Sequence, residues 1–418
     1  MSSINRFLFI FFFGVSSIFL AGCSRQQSAA SVFPNSDFAK AQYEIDKAPD
    51  RPLGYSNLAM VYMKEARRTG DFALNENAAA AVARALEMSP NDVPARKLEA
   101  SLHLAHHRFA DAADAAKRLQ TELPSDTFAY GVLTDAYMEI GEYEQAVASA
   151  QRMVDIRPGT ASYSRVAQLR SLYGDHPGAI DMYTEAARAA DPVDKEARGW
   201  CLVQLGDEYW KNGKYVDAEK VYDEALQIFP GYFLALVSKG RVRASVGDYA
   251  AAERLLTELQ TNIPNANATM LLADISTLKG DVEEANRQYA KFEATQEKLG
   301  VAADHRKLGL SWADRGKVEQ ALALAEKEYA AEKSIYSSDL LAWALYRSGD
   351  AIKAQTYIHE ALRLKTNDAT LFFHAGMIAK ANGKRGEAAR LLGAALKLNS
   401  GFSLARAEEA RKALAELN

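Results

Sequence analysis

One phrase recurs along this chain at steps of 33 to 39 residues, and it limits the fold more than any other feature. It reads Gly-x-(Tyr or Phe)-x-x-Ala, then an apolar residue four on, a small or apolar residue three later, and often a proline five beyond. One copy is Gly141-Glu142-Tyr143-Glu144-Gln145-Ala146, closed by Pro158. Another runs Gly213 to Ala218 and continues with Tyr222, Ala225 and Pro230; a third has Gly247, Tyr249, Ala252 and Pro264. The leading glycine recurs at 141, 174, 213, 247, 280, 316, 349 and 383. His107 takes the same place one period earlier, before Phe109, Ala112 and Pro124. A unit of this length cannot bury an apolar face alone, so units must stack into a continuous core with capped ends.

Each residue type in the phrase has a mechanical reason. Glycine suits a tight turn or a left-handed backbone between helices. The aromatic two residues later starts a second helix and packs across the pair. Alanine lets two helices approach closely, and proline ends the unit. The spacing and punctuation resemble the tetratricopeptide repeat, including the first helix of each pair, as in Tyr130, Leu133 and Tyr137 or Leu202, Leu205, Gly206 and Tyr209. The resemblance covers about ten units over residues 53–400 and implies a single all-α, right-handed α-solenoid bent into a superhelix. Residues 401–418, from Phe402 to Leu417 in particular, read as a capping helix. The first unit carries an insertion around Arg67 to Asn75, and a longer loop follows Ala187 through Asp194.

Residues 1–22 do not belong to the repeats. After Arg6 an apolar run, Phe7 to Leu20, is broken only by Gly14, Ser16 and Ser17. It is shorter than the ~20 residues a membrane-spanning helix needs. It has the form of the central region of a secretory signal peptide. The sequence Leu20-Ala21-Gly22-Cys23 at its end resembles the lipobox of bacterial lipoproteins. That resemblance implies a diacylglycerol thioether on Cys23, cleavage just before it, and acylation of the new amino terminus. Two or more chains are what a stable anchor requires. Ser24, in place of aspartate, implies the outer membrane under the enterobacterial sorting rule, with the chain facing the periplasm. An ordinary signal peptide with an incidental cysteine is the alternative. Residues 23–52 then hold the lipidated cysteine, a flexible tether and a first ordered segment.

With 50 basic and 54 acidic residues the net charge is −4, which gives no support to a nucleic-acid surface. Cys23 and Cys201 are the only cysteines, too few for a disulfide framework or a cysteine zinc site. His103 and His107 stand at i and i+4 and are weak metal candidates; packing and capping are the simpler reading. No glycine-rich phosphate loop, GxSxG elbow or paired-cysteine motif occurs, so no cofactor and no enzymatic activity are expected. A binding surface is what remains. In tetratricopeptide proteins the first helix of each pair lines a concave groove. Carried onto this chain, that implies Lys97 and Ser101, Phe128 and Asp135, Gln168, Trp200, Asp207 and Trp210, Arg241, Asp274, Arg306, Trp343 and Tyr346, and Phe373. The lysine and asparagine pairs of a carboxylate clamp are absent from this set. Trp210, Trp343 and Tyr346 suit a peptide ligand if they face the groove, or else they pack between units. The expectation is a membrane-anchored scaffold that binds other envelope proteins. A pilotin-like adaptor for one client is the alternative, and a hydrolase on His103 and His107 a more distant one.

Overall fold

The computed structural model describes residues 36–417. The leader and Cys23 lie outside these residues. Among them are 22 α-helices and no strand. Helix α1 (Ser36–Lys47) leads into α2 (Pro52–Thr69), α3 (Leu74–Met88), α4 (Val93–Ala105) and α5 (Phe109–Glu122). Next come α6 (Thr127–Ile140), α7 (Tyr143–Ile156), α8 (Thr160–Leu172) and α9 (His176–Ala189). The middle of the chain holds α10 (Lys195–Lys211), α11 (Tyr215–Ile228), α12 (Phe233–Ser245), α13 (Tyr249–Asn262), α14 (Ala266–Leu278) and α15 (Val282–Leu299). The last part is α16 (His305–Asp314), α17 (Val318–Ala331), α18 (Ile335–Arg347), α19 (Ala351–Ala361), α20 (Ala369–Ala381), α21 (Arg385–Leu398) and α22 (Arg406–Leu417). From α2 to α21 the helices pair as ten successive hairpins, an all-α solenoid.

The phrase in the sequence maps onto the hairpin turns. The eight recurring glycines all have positive φ, from 68° to 93°, and His107 has φ 53°. Gly70, at φ 77°, ends α2 and gives the first hairpin its turn within the expected insertion. The alanine five residues beyond each turn is buried in every hairpin from the second on: Ala112, Ala146, Ala179, Ala218, Ala252, Ala285, Ala321, Ala354 and Ala388. An aspartate just after several turns caps the second helix. Asp175 accepts from the Gly178 amide at 3.0 Å and Asp248 from the Ala251 amide at 3.1 Å. Caps of this kind contribute about 1 kcal/mol each.

The solenoid coils back onto itself. Turns of the early hairpins touch connections about half a chain later. The Ile335 amide donates to the Tyr143 hydroxyl at 2.8 Å. Thr366 Oγ1 donates to the Leu172 carbonyl at 2.5 Å, and Asn367 Nδ2 to the Gly174 carbonyl at 2.9 Å. Tyr215 donates to Asn399 Oδ1 at 2.5 Å and accepts from the Gly401 amide at 2.8 Å. At the start of the chain Phe72 meets Phe233 edge-on, with ring centroids 6.4 Å apart. These contacts form one seam between successive coils.

The aromatic two residues after the turn therefore does more than pack across its own pair. Tyr143, Tyr215 and, in the same place, His176 reach across the seam; His176 Nε2 lies 3.0 Å from the Asn367 carbonyl. The capping segment also differs from expectation. Its helix begins at Arg406, and Phe402 precedes it, buried against Phe373 at 5.6 Å between centroids.

Two glycines separate the cost of the turn from the cost of the seam. A Cβ at Gly349 (φ 93°) meets nothing within 4 Å, whereas one at Gly141 (φ 85°) overlaps the Lys333 carbonyl. Gly349→Ala should cost about 1–2 kcal/mol, the left-handed penalty alone. Gly141→Ala should cost clearly more in urea unfolding; equal losses would mean that the seam is open in solution.

Candidate functional site

The first helices of the middle hairpins converge on one cavity of about 420 Å³. Its walls come from α10, α12, α14 and α16, with α20 and residues 401–406 closing one side. Five of the expected groove residues meet there: Asp207, Trp210, Arg241, Asp274 and Arg306. Phe373 also borders the cavity but is fully buried, so it belongs to the wall beneath the surface.

The cavity is organised by paired charges. Asp207 accepts from the Tyr222 hydroxyl (2.6 Å), Ser238 Oγ (3.0 Å) and Arg241 Nη2 (2.5 Å). Arg241 in turn lies over the Trp210 ring, 4.1 Å from its centroid, a cation–π contact that holds both side chains. Trp210 Nε1 donates to Ser245 Oγ at 3.0 Å, and Ser245 lies 3.2 Å from the Gly401 carbonyl, tying α10 and α12 to the C-terminal segment. Arg306 donates to Asp339 at 3.1 Å and lies over Tyr336. Asp339 is fully buried and also meets His374 Nδ1 at 2.7 Å. Burial works against its charge, but His374 and Arg306 outweigh it and hold the carboxyl below its ordinary value. Asp314 takes Trp343 Nε1 at 2.8 Å and Arg406 Nε at 3.0 Å. Asp274 receives the Tyr289 hydroxyl at 2.6 Å, and burial pushes its carboxyl up to about 6.

Several expected groove residues stand elsewhere. Trp343 is fully buried, its ring stacked 4.1 Å from His374 and 5.0 Å from Tyr346. Trp343 and Phe373 are therefore core residues and not groove contacts; their aromatic area is satisfied inside the protein. Half-buried Tyr346 packs against the same core. Lys97 pairs with Asp126 and lies 5.5 Å over Phe128, and Asp135 pairs with Arg165 at 2.5 Å, all away from the cavity lining. Gln168 and Trp200 are half-buried and also outside that lining.

The histidine pair loses its geometry. A shared helical face needs a continuous helix, but α4 ends at Ala105 and His107 is left-handed, its ring stacked 5.5 Å from Phe109. Among the described residues, no group of three or more His, Cys, Asp or Glu side chains is placed to hold a metal ion. Cys201 is buried, and burial pushes its thiol up to about 12.

Sequence reasoning missed the contribution of Gly401, Phe402, Leu404 and Arg406 to the cavity. They follow the last repeat, so no period marks them. It also missed a second, smaller cavity on the seam, where His107 and Glu139 face His305, Glu328 and Glu332.

With this geometry in view, the comparisons with known proteins agree on the class. Sequence profiles of the tetratricopeptide repeat match residues 99–161, 174–233 and 209–275. The chain thus carries tetratricopeptide repeats, and its fold is that of a tetratricopeptide solenoid. It is similar to a chain of the APC/C hetero-tetramer Cut9-Hcn1, at 15% identity and a TM-score of 0.46 over 84% of this chain and 60% of that one. It is also similar to PilW, a type IV pilus biogenesis factor, at 16% identity and a TM-score of 0.41 over 48% and 91%. Yeast Tom70 gives 14% identity and a TM-score of 0.36 over 91% and 92%. This chain spans about 60% of the length of the first of these. No curated protein matches the sequence.

The seam cavity yields a pH dependence. Burial raises Glu139 to about 7 and Glu332 to about 8, with neighbouring carboxylates adding to both. Both folded values exceed the unfolded one, so their stabilising contribution is complete below about pH 4.5 and is lost as pH rises through 7 and 8. Thermal unfolding should therefore move to lower temperature between pH 6 and pH 9. The Glu139→Gln/Glu332→Gln double variant should show a flatter profile over that window; an unchanged slope would contradict this account.

Proposed function

We propose that this protein is a non-enzymatic scaffold, tethered by lipid at Cys23 to the periplasmic face of the outer membrane. There it binds a segment of an envelope protein in the cavity of its middle hairpins. The observation that carries the binding half is the convergence of Asp207, Trp210, Arg241, Asp274 and Arg306 on one concave cavity. A cleft with apolar walls and a few fixed polar groups is the usual form of a recognition site. Tetratricopeptide solenoids bind protein partners in such grooves. The lipid half rests on the run Leu20-Ala21-Gly22-Cys23 and the apolar stretch before it.

The two halves are tested separately. Cys23→Ala should leave the helical signal and unfolding temperature unchanged and move the protein from the membrane fraction to the soluble one; continued sedimentation with membranes would contradict the anchor. Trp210→Ala removes the platform under Arg241 without touching the Trp343 core. In-cell crosslinking should then lose the main partner captured by the wild-type protein, while an undiminished partner would place binding on another surface.

A further inference from the structure

The aspartates within the first helices of the hairpins follow a pattern with one exception among the described residues. Asp135 is paired with Arg165 at 2.5 Å and Asp207 with Arg241 at 2.5 Å. Asp314 is paired with Arg406 at 3.0 Å, and Asp339 with Arg306 at 3.1 Å. Asp274 occupies the same register as Asp207, since each accepts from a tyrosine hydroxyl fifteen residues later on the second helix of its hairpin. Yet no basic nitrogen lies within 4.0 Å of Asp274 among the described residues. Lys307, which lines the same cavity, bonds Asn267 at 2.7 Å and Asp304 at 2.9 Å.

We propose that Asp274 receives a single lysine or arginine side chain from a peptide segment bound in the cavity. This rests on the groove reading above and adds the chemistry of the partner. Charge complementarity decides the sign. Arg241 and Arg306 keep an Nε without a hydrogen bond, but the charge of each, like that of Arg406, is already compensated by a carboxylate, whereas that of Asp274 is not. A cation displaces nothing. A carboxylate taken out of water without a counter-charge is costly, and an incoming ammonium or guanidinium relieves that cost.

The surroundings fit the rest of such a side chain. Leu234, Leu271 and Leu310 line the same cavity and can cover the methylene stem. Ser311, only 4% exposed, also lines it, and its hydroxyl has no hydrogen-bond partner. It supplies a second acceptor for a donor-rich head group. Asp314 stands near enough to disfavour charge on Asp274, and Arg406 and Arg315 favour it from longer range. The partner cation completes the compensation that these residues leave unfinished.

The test is selection from a phage-displayed library of random dodecapeptides on the immobilised full-length protein in detergent, with Asp274→Asn in parallel. Asparagine keeps the acceptor for the Tyr289 hydroxyl, and the variant should melt no lower than wild type at pH 7.5. Wild type should select peptides with one fixed basic position flanked by apolar residues. Asp274→Asn should lose that position, and the wild-type peptides should bind it roughly 30-fold or more weakly. Peptides without a basic position, or with the same one on both proteins, would overturn the cation assignment while leaving the groove reading intact. No selected peptide on either protein would overturn both.

Discussion

The seam between successive coils is the constraint on which the rest of this molecule depends. A solenoid of helical hairpins ordinarily gains its stability from neighbour to neighbour, which makes it nearly one-dimensional. Here Tyr143, His176 and Tyr215 reach from their turns to backbone groups of the chain one coil later. Each such hydrogen bond contributes only about 0.5–1.5 kcal/mol net. Their common effect is geometric: they set the pitch and hold the first helices of the middle hairpins around a closed space. Without the seam the same hairpins would stack, but nothing would bring residues 401–406 against α10, α12 and α16.

The cavity follows from that closure. Its arginines and aspartates come from different hairpins, 33 to 34 residues apart for Arg306–Asp339 and Asp207–Arg241. One repeat therefore supplies the acid and its neighbour the base. Because partly buried charges are tolerated only when paired, each pair also orders the helices that carry it. Asp274, which lines the cavity, departs from this rule: the Tyr289 hydroxyl is its partner and no base among the described residues stands beside it.

The chain's architecture was legible in its repeats because helical hairpins are local. Gly141, Tyr143 and Ala146 lie within six residues and build the turn of their own pair, even though Tyr143 also reaches Ile335 across the seam. The same locality placed Asp207, Trp210, Arg241, Asp274 and Arg306 on inward faces. Trp343 went astray for a physical reason: it sits at an inward register, but His374 and Tyr346 stack on it and Asp314 binds its indole nitrogen. Helical register cannot distinguish a residue that faces the groove from one covered by the next hairpin.

What the sequence determined by itself, then, is the unit: its two helices, its left-handed turn and the close approach that alanine allows. Those features rest on contacts between residues a few positions apart, so periodicity and composition reveal them. The tertiary structure decided which turns meet across the seam, how the C-terminal segment enters the groove, and which aspartate of the groove is left without a base. These depend on pairs such as Tyr143 with Ile335, 192 residues apart, and Tyr215 with Gly401, 186 apart, set by the accumulated angle of many stacked hairpins. No single repeat encodes that sum.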